Sequence, residues 1–163
     1  MGGFSGTNNS ILVANNDAVQ VALTGTGANT SETILKTVIL PALGANSSID
    51  IDTLSSTTSS VNTKTFRIRL GGIGGTIIYS SAITTSVQQQ QKTIVRNVAN
   101  AAIQKFFGVS VSGGYGSSSS AVGSAAIDTS VPVTLVFTGQ LDAAAAAAGN
   151  SINYEGSTVR VIL

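Results

Sequence analysis

The sequence predicts an all-β domain, a two-sheet β-sandwich with at most one short helix. Three observations lead to this prediction: apolar and polar residues alternate in short segments, glycine- or Ser/Thr-rich turns separate them, and helical periodicity is almost absent. About nine or ten such strands suit a jelly-roll-like arrangement best, although periodicity leaves the strand order open. We assign residues 10–163 to this domain and residues 1–9, rich in glycine and asparagine, to a flexible N-terminal arm.

The clearest element is the stretch 64–79, KTFRIRLGGIGGTIIY, which has the pattern of a strand, a glycine-rich turn and a second strand. Phe66, Ile68 and Leu70 alternate with Arg67 and Arg69, as in a half-buried strand. The glycine cluster that follows supplies residues that tolerate positive φ where the chain reverses. We therefore predict a hairpin whose arginines point outward.

Further strands are predicted where the same alternation recurs, at 19–24, 34–40, 49–52, 93–98, 103–111, 131–138 and 157–163. Pro41 closes one of them, and Pro132 indicates a strand start or a sheet edge. Residues 55–62 are almost all Ser and Thr and are predicted as a loop, and the glutamines 88–91 as a loop or strand end. Residues 142–149, DAAAAAAG, combine an N-cap residue, strong helix formers and a C-terminal glycine, so we predict a short helix there, with a loop as the alternative.

The composition limits the classes of function. Eight basic and seven acidic residues nearly cancel, and only 9% of residues are charged, so nothing indicates binding to nucleic acid or to an anionic membrane. Histidine and cysteine are absent, which removes the usual zinc and copper ligands and the commonest general base. Because few charges and a near-zero net charge favour association, we expect the protein to form a homo-oligomer.

Candidate reactive groups are few. Asp50 and Asp52 lie side by side on one strand face and suggest a calcium site or an acid–base pair, but their alternation with isoleucines already explains them as the outward face of a strand. If that strand adjoined 64–70, they would pair with Arg67 and Arg69. A Ser-His-Asp triad is excluded, and a Ser–Lys pair stays open with nothing to single out one of Lys36, Lys64, Lys92 and Lys105. We therefore predict that the chain is not an enzyme and uses no metal or cofactor.

Five segments together resemble a β-sandwich domain that recurs in bacteriophage virion proteins. They are TILKTVILPALGANSSIDI (33–51), KTFRIRLGG (64–72), IVRN (94–97), DTSVPVTLVFTGQL (128–141) and STVRVIL (157–163). Their order matches as well: a strand closed by proline and a glycine-asparagine turn, a Lys-Thr strand into Gly-Gly, and a late Asp-Thr-Ser strand pair. The alanine run 143–148 departs from the pattern.

The resemblance implies a jelly-roll-like structural or adhesive part of the virion, often trimeric, with no catalytic residues. Since only a short arm precedes the domain, we favour a capsid decoration (cement) protein that is made in the host cytoplasm, trimerises and docks on the major capsid protein. Gly2, Gly3 and Phe4 are the predicted capsid contact. The alternative is a tail-fibre or head-fibre adhesin that binds host glycan through the loop 113–120, with Gly114, Tyr115 and Gly116 as its adhesive residues. The third hypothesis is a generic carbohydrate-binding module with no role in a virion.

Overall fold

The computed structural model describes residues 11–27, 29–106 and 122–163, and it confirms the all-β sandwich. Two antiparallel sheets are formed, and one short helix, α1 (Ala143–Ala147), follows the tenth described strand. The strands of the described residues are β1 (Ile11–Asp17), β2 (Val21–Thr24), β3 (Thr33–Leu40), β4 (Ser48–Thr57), β5 (Lys64–Leu70), β6 (Thr76–Ile83), β7 (Gln88–Asn97), β8 (Gln104–Phe106), β9 (Gly123–Ala125), β10 (Val133–Leu141) and β11 (Ser151–Ile162).

The strand order is that of a jelly roll. The first sheet runs β1-β11-β4-β7-β8-β9, with β2 also paired to β11, and the second runs β3-β10-β5-β6. The antiparallel pairs β5–β6, β4–β7, β3–β10 and β1–β11 are nested along the chain and alternate between the sheets. The chain therefore winds as a long antiparallel ribbon around the sandwich, which is the jelly-roll topology.

The core lies between the sheets and is filled from both inner faces. Phe137 on β10 has its ring centroid 5.2 Å from that of Tyr154 on β11 and 6.5 Å from that of Phe66 on β5, so aromatic rings bridge the two layers. Alternation along β5 buries Phe66, Ile68 and Leu70 and leaves the arginines half-buried on the outer face, as the sequence predicts. Other core residues are Leu40, Ile49, Ile51, Leu135, Ile152, Val159 and Val161.

Several strand limits differ from the prediction. β4 continues to Thr57, so residues 55–57 belong to a strand and not to a loop. In this half of β4 the usual pattern is inverted, because Thr53, Ser55 and Thr57 face the interior while Leu54 is exposed. Hydropathy alone predicts a loop here, because the buried residues in this half of the strand are polar.

The structure contains two strands that the sequence does not predict, and it agrees in part with the predictions for residues 88–91 and 103–111. β1 and β9 were missed; β9 is only three residues long, and β1 reads ILVANND, without clear alternation. The glutamines 88–91 form the start of β7, which agrees with the strand-end option. The strand predicted at 103–111 is seen as β8, and its remainder lies outside the described residues.

The short helix is confirmed and its ends are the predicted ones. The Asp142 carboxylate accepts hydrogen bonds from the Ala145 N–H at 2.6 Å and the Thr63 N–H at 2.7 Å, and these hold the pKa of Asp142 below its usual value. Gly149 follows the C-cap with φ +66°, a conformation that suits glycine. Within the described ranges, no helix is long and apolar enough to cross a membrane.

Candidate functional site

The residues predicted to contact partners fall outside the part of the chain that the structure describes. These are Gly2, Gly3 and Phe4 of the arm and Gly114, Tyr115 and Gly116 of the adhesive loop. They therefore stay predictions, and the site has to be built from residues that are described.

Asp50 and Asp52 occupy the outer face of the first sheet, as their alternation with isoleucines predicts. β4 pairs with β7 and β11, whereas β5 lies in the other sheet, so the condition for pairing with the β5 arginines is not met. Asp52 instead approaches Arg160 at 4.0 Å, a half-exposed contact that contributes little to stability. The described residues contain no cluster of three or more Asp, Glu, His or Cys side chains that could hold a metal.

Arg67 and Arg69 both form salt bridges with Glu32, which immediately precedes β3. Arg69 binds the carboxylate through two nitrogens at 2.8 and 2.7 Å, Arg67 approaches it at 3.3 Å, and the Thr138 hydroxyl donates to it. The hydrogen bonds from Arg69 outweigh partial burial and hold the pKa of Glu32 below its usual value. This network holds the segment before β3 against the outer face of the second sheet. The role of the network is therefore structural.

Among the described residues one Ser–Lys hydrogen bond is present, between Ser60 and Lys64, and its geometry is that of a structural contact. The fully buried Lys64 ammonium donates to the Ser60 hydroxyl at 2.9 Å and to the Asn62 carbonyl at 2.8 Å, while the Ser60 hydroxyl donates to Asn150 Oδ1 at 2.6 Å. Burial lowers the pKa of Lys64, and the charge of Asp142 opposes that shift. The serine proton thus points away from the lysine, whereas activation of a nucleophile requires it to point towards the base.

A shallow depression of about 500 Å³ lies on the first sheet, lined by Leu54, Ser55, Ser56, Gln88, Gln89, Gln90 and Glu155. We call it the sheet depression. The Glu155 carboxylate accepts two hydrogen bonds from Gln20, at 2.8 and 2.9 Å, and another from the Ser56 hydroxyl. Ser56 in turn accepts a hydrogen bond from the Asn153 amide at 2.9 Å. No sequence motif marks this site, because its residues come from three strands that are brought together only by the register of the sheet.

A second surface feature is the edge of the first sheet. Ile11, Leu12 and Val13 on β1 are 63%, 44% and 49% exposed, and the last residue, Leu163, is also exposed. Within the described ranges no strand pairs with the far side of β1. Sheet edges are usually protected by charges or proline, and the exposed start of β1 carries neither. We call these four residues the apolar edge and regard it as a candidate protein interface.

No protein-family model matches the sequence, and no curated protein matches it. Among solved structures, the chain is similar to the CBM2 module of the evolved Dit of Lactobacillus casei BL23 phage J-1, with 15% identity, a TM-score of 0.44, and 88% of this chain and 77% of that chain covered. It is also similar to the VP2 subviral particle protein of infectious bursal disease virus, with 13% identity and a TM-score of 0.42; 94% of this chain is covered but only 32% of that one.

A third similar structure is the carbohydrate-binding module CBM6cm-2 of Cellvibrio mixtus lichenase 5A in complex with cellotriose, with 10% identity, a TM-score of 0.37, and 95% and 97% of the two chains covered. All three similar structures have identities of 15% or less and TM-scores below 0.5. Such low identities concern architecture alone, so function has to be argued from this chain's own residues.

Proposed function

We propose that this protein is a structural component of a bacteriophage virion, and that it is a non-catalytic capsid decoration protein. The proposal is supported by the ordered segments that resemble phage virion domains and by a jelly-roll fold with few charges on its surface. The mechanism is passive: contacts between the decoration protein and neighbouring capsomers bury additional area, which stabilises the assembled shell by mass action.

The observation that carries the proposal is the position of the apolar edge. β1 is described from Ile11 onward, two positions after the end of the arm at residue 9, so the exposed and apolar start of β1 is close to the arm in the sequence. We propose that the apolar edge joins copies of the protein, as a trimer, while Gly2, Gly3 and Phe4 of the arm contact the major capsid protein. Association would remove from water the apolar groups that the isolated chain leaves exposed.

Immunogold labelling of purified phage with an antibody against this chain tests the location. Gold over the head is the expected result. Gold at the tail tip would contradict decoration and favour the alternative of an adhesin, in which the loop around Tyr115 binds a host glycan. Absence of gold from the particle would contradict a role in the virion.

The arm assignment is tested by deleting residues 2–7 and measuring co-sedimentation with undecorated capsids. We expect the deletion to abolish capsid binding and to leave the melting temperature unchanged, because the buried core is already formed by residues between Leu35 and Val161. Phe4→Ala should weaken binding, whereas Asn8→Ala in the same arm serves as the matched control. Full binding by the deletion variant would refute the assignment of the arm as the capsid contact.

A further inference from the structure

We propose that the sheet depression is a binding site for a neutral oligosaccharide. This inference goes beyond the decoration role, since it depends neither on the arm nor on the apolar edge. Its lining residues also differ from those of the adhesive loop 113–120, because all of them belong to β4, β7 and β11.

The register explains how the depression forms. Leu54 lies opposite Gln90 on one side and Gly156 on the other, and Ser56 lies opposite Gln88 and Asn153. The pairing of β11 with β4 is irregular between Tyr154 and Gly156, and Gly156 has no side chain to cover Leu54. Three neighbouring strands make the site about 10 Å wide, and two successive rows make it about 7 Å long, which suits one or two sugar rings.

The polar groups of the depression match a ligand rich in hydroxyls. Gln88 and Gln90 are on the solvent side of β7, and neither amide has a hydrogen-bond partner among the described residues, so each offers both a donor and an acceptor. The Glu155 carboxylate is held in place by Gln20 and Ser56 and retains acceptor capacity for a hydroxyl. Groups that are positioned before binding cost less entropy when the ligand arrives.

The remaining features of the lining select against other ligands. No lysine or arginine lines the depression, so a phosphate or another anion would find no opposite charge. A single carboxylate is too little for a metal ion. Leu54, half-exposed on the floor, provides a small apolar platform that suits the C–H face of a sugar ring but is too small for a lipid chain.

The test is a screen of the full chain on an array of neutral oligosaccharides, followed by NMR titration with the strongest array ligand. We expect saturable binding, with chemical-shift changes at the side-chain amides of Gln88 and Gln90. No binding on the array, or shift changes confined to other surfaces, would overturn the proposal. If the depression bound a peptide and no oligosaccharide, the proposal would be overturned as well.

Variants make the assignment specific. Gln90→Ala should weaken binding about fivefold, as expected for one hydrogen bond, and Glu155→Gln about tenfold, because it removes a charged acceptor but keeps the shape. Arg96→Ala is the matched control, since Arg96 is an exposed residue on the same face of β7 six positions away, outside the depression. Equal affinities for Gln90→Ala, Glu155→Gln and Arg96→Ala, with all three folded by thermal melting, would refute the site.

Discussion

Glu32 connects three strands through a single carboxylate. It binds Arg69 and Arg67 on β5 and Thr138 on β10, while its own position is at the entry to β3. Its side chain is only 17% exposed. A carboxylate with several charged hydrogen bonds at such a site contributes to stability, and its removal leaves two half-buried guanidinium groups without a counter-charge.

We expect Glu32→Gln to lower the free energy of unfolding by about 2 kcal/mol at pH 7, the size of a lost charged hydrogen-bond pair. Because the pKa of Glu32 is lower in the folded protein than its usual value of 4.5, its contribution is complete above that pH and is lost as the pH falls further. Urea unfolding between pH 7 and pH 3 measures both effects, and the variant should lose less stability on acidification than the parent.

Asp52→Asn is the control for Glu32→Gln. Asp52 also has an arginine partner, but the contact is longer and half-exposed, so stability should change by less than about 0.5 kcal/mol. If both variants lost the same free energy of unfolding, the Glu32 network would contribute no more to stability than an exposed ion pair.

At the scale of elements, the β5–β6 hairpin shows two different uses of glycine. Gly71 and Gly72 have φ of +93° and +83°, the positive values that the sequence analysis expected of the turn. Gly75 is needed for space, because a Cβ there would lie 2.0 Å from the carbonyl oxygen of Leu70, while a Cβ on Gly74 would meet nothing within 4 Å. The Gly75 carbonyl also accepts a hydrogen bond from Arg69 at 3.0 Å.

We therefore expect Gly75→Ala to destabilise the protein by about 3 kcal/mol, since backbone atoms have to move to relieve the contact. Gly74→Ala, the matched substitution one position away, should be neutral within about 0.5 kcal/mol. Thermal unfolding of the two variants compares them directly. A Gly74→Ala variant that is as unstable as Gly75→Ala would contradict this description of the turn.

At the scale of the whole molecule, the apolar edge predicts self-association. Replacing Ile11 and Val13 by threonine keeps a strand-forming residue at each position but removes apolar surface, so the proposed oligomer should dissociate while the monomer stays folded. Sedimentation equilibrium over a range of concentrations measures the change. Val61→Thr, at an 84% exposed position away from β1, is the control. An oligomer unchanged by the β1 substitutions would show that another surface joins the copies.

Much of the secondary structure was predictable because it depends on neighbours in the chain. The alternation at Phe66, Ile68 and Leu70, the positive φ of Gly71 and the capping of α1 by Asp142 all follow from local rules. The same rules failed in the second half of β4, where Thr53 and Ser55 are buried. The tertiary environment there overrides the hydropathy pattern.

The sequence by itself determined the class of the protein: an all-β sandwich, its central hairpin, its short helix and a surface with few charges. Only the tertiary structure decided the nested strand order, the exposure of β1 at an edge, and the two polar clusters. Glu32 meets Arg69 across 37 positions of sequence, and Ser56 meets Glu155 across 99. Local periodicity determines which way a side chain faces, but its partner depends on which distant strands pair and in which register, and that is decided by the packing of the whole chain.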